Sequence, residues 1–165
     1  EAVAIAHQIT GAPIVSHCEH GTGALEQIEL FTKLRIPVEK VTLSHTDKEN
    51  DFGYHREILS SGINVEYDQS LRQSDQEKPP SALLMKAMID EGFIGQIMLG
   101  TDGARRSLWS SLGGSPGLAW LFTSWSQRLM KLGLTQAQLD KIFIDNPAIT
   151  LALDVNTSDK SRGIL

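Results

Sequence analysis

The feature that most constrains the fold is a strand-then-helix unit that recurs four times along the chain. Pro13–His17, Val41–His45, Ile63–Asp68 and Ile97–Asp102 are short runs rich in apolar and β-branched residues, as strands require. Each is followed by a segment of helical character, best seen in Leu25, Ile28, Phe31 and Leu34 after the first and Leu84, Ala87 and Met88 after the third. After the fourth, Leu118, Leu121, Phe122, Trp125, Leu129 and Leu132 predict one long amphipathic helix. A helix between strands is the crossover that parallel pairing needs, so the expected class is α/β with a parallel sheet. A closed barrel of eight such units takes about 250 residues. With 165 residues and four strands, the chain is either half of a (β/α)8 barrel or a small open sheet.

Local signals set the boundaries. Thr10-Gly11 stops an opening helix over Glu1–Gln8, Ser81 caps the helix that Gly92 closes, and Thr135 with Gln138 forms a capping box. Asn146-Pro147 reads as the start of the last helix, with Pro147 in its tolerated first turn. Polar residues 72–80 are expected to be a surface loop, and a Gly/Ser-rich loop spans 103–117. The division is a single domain over 1–154 and a polar tail over 155–165 that is expected to be disordered. The chain opens in mid-helix without an initiator Met, which predicts an upstream half.

Several function classes fall away on charge and hydropathy. The net charge is −5 and the longest basic cluster is Arg105-Arg106, so the basic stripe that nucleic acid demands is missing. Membrane spans need roughly 18 apolar residues in a row, and no such run occurs. One cysteine, Cys18, excludes an intramolecular disulfide framework and fits a reducing compartment, so a cytoplasmic location is expected. Packing is the expected role of Cys18.

Three strands end in a residue able to bind a metal: His17, His45 and Asp102. His17 and His45 are 28 positions apart, and His45 and Asp102 are 57 apart, about twice as far. A strand-helix unit takes about 30 residues. The three therefore mark equivalent places in units one, two and four, at the carboxyl ends where parallel α/β folds build their sites. Period-two alternation puts Val15 with His17, Val41 and Leu43 with His45, and Met98 and Gly100 with Asp102. Two imidazoles and a carboxylate make a sound donor set for zinc or a similar divalent ion, with positions left open for water.

The same residues lie within a series of motifs. Gly11-Ala12-Pro13-Ile14-Val15-Ser16-His17 with Gly21 and Glu26-Gln27, then Ser44-His45-Thr46-Asp47, Tyr67-Asp68, Leu99-Gly100-Thr101-Asp102 with Arg105-Arg106-Ser107 and Gly113-Gly114, and Asn146-Pro147-Ala148 occur in order. That series resembles strands five to eight and the closing helix of phosphotriesterase-like proteins in the amidohydrolase superfamily. The resemblance implies a (β/α)8 barrel with two divalent metals, expected to be zinc, bridged by hydroxide and a carboxylated lysine. By analogy His17 and His45 hold one metal, while Asp102 binds the other and takes a proton from the bridging water. The family's His-x-His pair of strand one and its strand-four lysine have no counterpart here, and His7 and His20 do not supply the pair. The missing ligands are expected from an upstream half or a partner chain.

Gln69 stands where phosphotriesterase proper carries a proton-relaying His, which favours lactone hydrolysis over phosphotriester hydrolysis. Arg72, Arg105 and Arg106 lie on loops at the catalytic face, and guanidinium forks suit phosphate, so a phosphorylated sugar lactone is the expected small-molecule substrate. Tyr67 and Trp109 complete the expected substrate-binding set, with Glu66 facing the interior and Asp47 orienting a ligand. Trp120 and Trp125 are expected in the core. The rival to an enzyme is a non-catalytic half-barrel that binds another chain or pairs with itself, because two open sheet edges invite association.

Overall fold

A computed structural model describes residues 1–153, so the expected tail over 155–165 lies outside the described residues. The sheet has four parallel strands in sequence order: β1 (Ile14–His17), β2 (Val41–Ser44), β3 (Asn64–Tyr67) and β4 (Ile97–Leu99). Between them run α2 (Ala24–Lys33), α3 (Phe52–Ser60) and α4 (Pro80–Asp90), preceded by α1 (Ala2–Thr10) and followed by α5 (Ser124–Lys131), α6 (Gln136–Asp140) and α7 (Asn146–Thr150). Each strand is shorter than its apolar run: β1 loses Pro13 and keeps His17 in the ladder, whereas His45, Asp68 and Asp102 lie beyond the carboxyl ends of their strands.

Register divides the strands into two faces. Ile14, Val41, Leu43, Val65, Tyr67 and Ile97 pack under the helices in one continuous core that also takes in Ile58, Leu84, Met88, Trp125 and Leu129. Each such aliphatic side chain, fully buried, stabilises the fold by about 1.5–3 kcal/mol. On the opposite face, pairing aligns His17 with Ser44, Ser44 with Glu66 and Glu66 with Met98, a single row across the sheet. This is the inner face, and Val15 upon it remains 57% exposed at the open edge. Alternation therefore fails for His45: Val41 and Leu43 belong to the helix side, not to the side of His17.

Three helix signals resolve differently from expectation. Ser81 is inside α4, whose N-cap is Pro79; its hydroxyl accepts from Gln73 Nε2 at 2.9 Å while its N–H donates to Gln73 Oε1 at 3.0 Å. The single helix expected over Leu118–Leu132 is broken at Thr123, between a 3₁₀ turn over Leu118–Leu121 and α5. Thr123 Oγ1 donates back to the carbonyl of Ala119 at 2.9 Å, a local bond that competes with helix continuation. Buried Leu121, Trp125 and Leu129 keep the apolar spacing across the break, which hides it from the sequence.

Asn146-Pro147 does not begin a separate helix. The chain stays right-handed helical from α6 through a wider π-type turn at Lys141–Asp145 into α7. Proline lacks an N–H and crowds the carbonyl of the preceding turn, and the wider turn before Pro147 accommodates both. Asn146 is buried and its amide donates to the carbonyls of Ile94 and Ile97, each at 2.7 Å, tying this helix to the start of β4. The capping box at Thr135 and Gln138 forms as expected, and Gly11, at φ 69°, ends α1.

Candidate metal centre

His17 ends β1 on the inner face, Asp102 keeps the parity of Met98 and Gly100 on that face, and His45 reaches it by backbone reversal. His45 follows β2 with φ 68°, and Asp102 lies past β4 with φ 37°. Non-glycine residues rarely adopt positive φ, and such strain, of order 1–3 kcal/mol, gathers at functional sites. At His45 the left-handed turn brings the imidazole against that of His17, ring centroids 4.5 Å apart and edge to face. Two residues of opposite expected facing thus meet.

The unit that seemed empty also contributes. Asp68, just past β3, is 1% exposed, and its Oδ2 accepts the backbone N–H of His45 at 3.1 Å. The same oxygen lies 2.5 Å from His45 Nδ1, and Asp102 Oδ2 lies 3.9 Å from that nitrogen. His45, Asp68 and Asp102 offer donor atoms all within 4.8 Å of one another. We read Asp68 as the carboxylate that orients His45 rather than as a ligand, since a metal with bonds of about 2.0–2.2 Å does not fit between atoms 2.5 Å apart. Nδ1 turned to a carboxylate leaves Nε2 as the metal donor, the usual carboxylate–histidine–metal arrangement. The Nδ1 contact is close but not aligned as a hydrogen bond, so this buried nitrogen lacks an aligned partner.

Charge is concentrated here. Burial, with Glu66 and Asp102 nearby, pushes the Asp68 carboxyl up to about 7 against the hydrogen bond it accepts from Gln69. Burial first, then Lys48, holds His45 below its ordinary value. Arg72 supplies the compensating cation: one guanidinium nitrogen lies 2.7 Å from Asp102 Oδ2, and another is buried with no partner among the described residues. Glu66 faces inward as expected and accepts from Ser44 Oγ at 2.6 Å. Gly100 leaves the room it needs, for a Cβ there would come within 1.9 Å of Glu66 Oε1.

The remaining expected residues separate. His17 Nε2 contacts Glu19 Oε2 at 2.8 Å and its side chain is 54% exposed, so it joins the cluster through His45 alone. Arg105 and Arg106 are exposed, and Trp109 is pinned by its indole N–H to the carbonyl of Gly103, next to Asp102, at 2.6 Å. Tyr67 is a correction: it sits in the helix-side core, 1% exposed, with its hydroxyl 2.8 Å from His55 Nδ1, on the face away from the inner row. Residues 72–80 are a correction in part, for Arg72 is half-buried in the site and Pro79 is buried. Cys18 is fully buried and its thiol is pushed up to about 11 by burial, as packing implies. Trp125 is in the core, and half-buried Trp120 packs against that core with the Arg128 guanidinium 5.0 Å from its ring centroid. His7 bonds the carbonyl of Ala12, and His20 is exposed.

Sequence reading did not find His55, a buried imidazole whose helical position carries no ligand spacing. Nor did it place Asp68 in the cluster, although Asp68 ends its strand as the other three candidates end theirs.

The geometry is that of a polar cluster at the carboxyl ends of parallel strands, and comparison with known proteins gives the family. The phosphotriesterase family model matches residues 1–151, and the chain belongs to that family. It is 29% identical over 147 residues to the phosphotriesterase homology protein of Escherichia coli, covering 89% of this chain and 50% of that one. Against a phospho-furanose lactonase of Mycoplasmopsis synoviae it is 27% identical over 152 residues, covering 88% and 43%. A lactonase structure from Listeria monocytogenes superposes with a TM-score of 0.86 at 32% identity, covering 92% of this chain and 48% of that one. The chain spans about half the length of these relatives, and its sheet corresponds to half of a (β/α)8 barrel.

Proposed function

We propose that the chain forms part of a metal-dependent hydrolase that opens a lactone, a phosphorylated sugar lactone in the first instance. The observation that carries this reading is His45, seated by Asp68 with Asp102 at 3.9 Å, beside the ring of His17. The residues fit a cation: with Nδ1 turned to Asp68 the other ring nitrogen of His45 is left to donate, and the guanidinium of Arg72 lies on the carboxylate a metal would neutralise. His17 and His45 would hold one ion, His17 by exchanging Glu19 for it, and Asp102 would face the second. A bound divalent ion, expected to be zinc, supplies Lewis acidity that makes water nucleophilic near neutral pH. With such an ion bound, Asp102 would accept the proton of that water, and Asp68 would keep the His45 ring from rotating. Further ligands, by family resemblance a His-x-His pair and a carboxylated lysine, come from outside this chain.

Substrate choice rests on Arg72 and Gln69. The unpartnered guanidinium nitrogen of Arg72, buried beside Asp102, suits an anionic group next to the bond that breaks. Arg105, Arg106 and Trp109 line the loop beyond Asp102 and would close over the distal part of the substrate. Gln69 donates to Asp68 Oδ1 at 2.6 Å and carries no proton in relay, which ranks phosphotriesters below lactones. The phospho-furanose lactonase relative supports the same order. No helix of the described residues is long and apolar enough to cross a membrane. A cytoplasmic location is proposed on the single, unpaired Cys18, which suits a reducing compartment.

A second reading, a half-barrel that only binds, is favoured by apolar exposure at both flanks: Val3, Ile5 and Ile9 on α1, and Ile144 and Ile149 beside α7. Elemental analysis of the full-length protein and of a His17→Ala, His45→Ala double variant separates the two. About two zinc-type ions, lost in the variant along with phosphorylated-lactone turnover, support the enzyme. A parent without stoichiometric metal leaves only the binding module.

A further inference from the structure

Behind the strand ends lies a second cluster of buried polar groups that the proposed reaction does not use. Asp47, 2% exposed in the turn after β2, spans the gap to the end of β3: its Oδ1 accepts the N–H of Asp68 and its Oδ2 the N–H of Gln69, each at 3.1 Å. His55, fully buried on α3, grips that same turn from the other side. Its Nε2 lies 3.1 Å from the carbonyl of Thr46 and 2.9 Å from that of Glu49. Its Nδ1 lies 2.8 Å from the hydroxyl of Tyr67, the residue before Asp68. One tautomer satisfies all of these at once, with Nε2–H donating to the carbonyls and Nδ1 accepting from Tyr67.

We infer that Asp47 and His55 form a positioning clamp that aims Asp68 at His45. The two amides held by Asp47 flank the peptide that carries Asp68, so they fix both peptide planes from which its side chain departs. Tyr67 and the turn carbonyls, held by His55, fix the strand and the turn relative to each other. Neither residue touches metal or substrate. Their effect reaches the site through the 2.5 Å approach of Asp68 to His45 Nδ1, and hence through the orientation of the metal-binding ring. A carboxylate on two amides and an imidazole on two carbonyls would both be costly to bury for packing alone, where apolar side chains serve without partners. The inference rests on the metal-dependent reading above.

The test is Asp47→Asn in the full-length protein, which keeps the shape but turns an amide group toward a backbone N–H. Cobalt(II) alone is the probe, with its visible spectrum reporting geometry, and the His45 ring nitrogens are followed by NMR without metal. Expected are a cobalt(II) affinity about 10–100-fold weaker, as for loss of other groups that orient ligands, and altered absorption bands. The metal-free His45 nitrogen shifts should move as Asp68 loses its aim. Should Asp47→Asn fail to fold, Tyr67→Phe removes one hydroxyl from the same clamp and should weaken cobalt(II) several-fold. A folded variant that melts lower yet keeps the parent's cobalt(II) affinity and His45 shifts overturns the inference. A parent that binds no cobalt(II) sinks the metal-dependent function instead, and unmoved His45 shifts in the metal-free variant then overturn the clamp independently.

Discussion

Removing the side chain of Arg128 should loosen the loop that brings Arg72 to the site. This guanidinium, on α5, donates to the carbonyl of Gln76 at 2.6 Å and to that of Ser74 at 2.7 Å, with a marginal third contact to Gln73 at 3.5 Å. It also lies 5.0 Å from the centroid of the Trp120 ring. A hydrogen bond from a charged donor contributes about 1.5–3 kcal/mol when buried. The Gln76 bond is exposed and the Ser74 bond only partly buried, so each falls below that range at about 1 kcal/mol and the pair gives about 2 kcal/mol. Stacking on Trp120 adds roughly 0.5–1 kcal/mol. Arg128→Ala should then make local opening of residues 69–79 easier by about 2.5–3 kcal/mol, which raises amide exchange there on the order of 70–150-fold. Hydrogen exchange by mass spectrometry reads this directly at amides such as Gln73 and Gln76, which bond within the loop to Gln69 and Gln73. Arg128→Lys should fall between, since an ammonium neither forks across two carbonyls nor stacks as well. Unchanged protection over 69–79 in Arg128→Ala would refute the assignment of this loop's order to Arg128.

Asn146→Ala strands two buried carbonyls, those of Ile94 and Ile97, and should cost about 2–4 kcal/mol in urea unfolding; a loss below about 0.5 kcal/mol would show that the bonds hold nothing. His55 is held neutral by burial, its folded value lowered below that of the unfolded chain. The unfolded chain alone therefore takes up a proton as pH falls below about 6.5, and stability is lost by up to about 1.4 kcal/mol per pH unit. Asp47 and Asp68, both pushed up to about 7, tilt stability the opposite way, so the readout is the difference between parent and His55→Gln unfolding at pH 5.5 and 7.5. That difference should shrink in acid, and a pH-independent difference would count against a neutral His55. Gly100→Ala places a methyl on Glu66 Oε1, displaces the carboxylate whose Oε2 accepts from Ser44 at 2.6 Å, and should lower stability by roughly 1–2 kcal/mol; a melting temperature equal to the parent's would mean that the inner face has room to spare.

The fold was legible because it rests on periodicity. Leu43, Val65, Ile97 and Met88 are buried where strand and helix patterns require burial, and the parallel order follows from the helices between strands. What periodicity could not show is where it stops. Leu121, Trp125 and Leu129 keep their spacing across the break at Thr123, and Pro147 resembles a helix start although the helix runs through it by a wider turn. Arg128 and Asn146 serve carbonyls far away in sequence, of Ser74 and Gln76 and of Ile94 and Ile97, and nothing local marks such partners.

The sequence marked His17, His45 and Asp102, which the structure draws to one end of the sheet, but not Asp68 and not how the residues meet. Strict alternation along β2 would have sent His45 into the helix-side core with Val41 and Leu43, and the correct grouping with His17 came from an argument the register overturns. A positive φ at His45 reverses its side chain, and that reversal needs something to hold it, since the left-handed region costs a residue with a Cβ of order 1–3 kcal/mol. The hold is visible: Asp68 accepts the N–H of His45 at 3.1 Å and crowds its ring at 2.5 Å. Asp68 is in turn held through Asp47. Strain at His45 and burial of two carboxylates beside it are thus one arrangement. It spends stability to fix an imidazole, which a core residue would have no reason to need and the proposed metal ligand would.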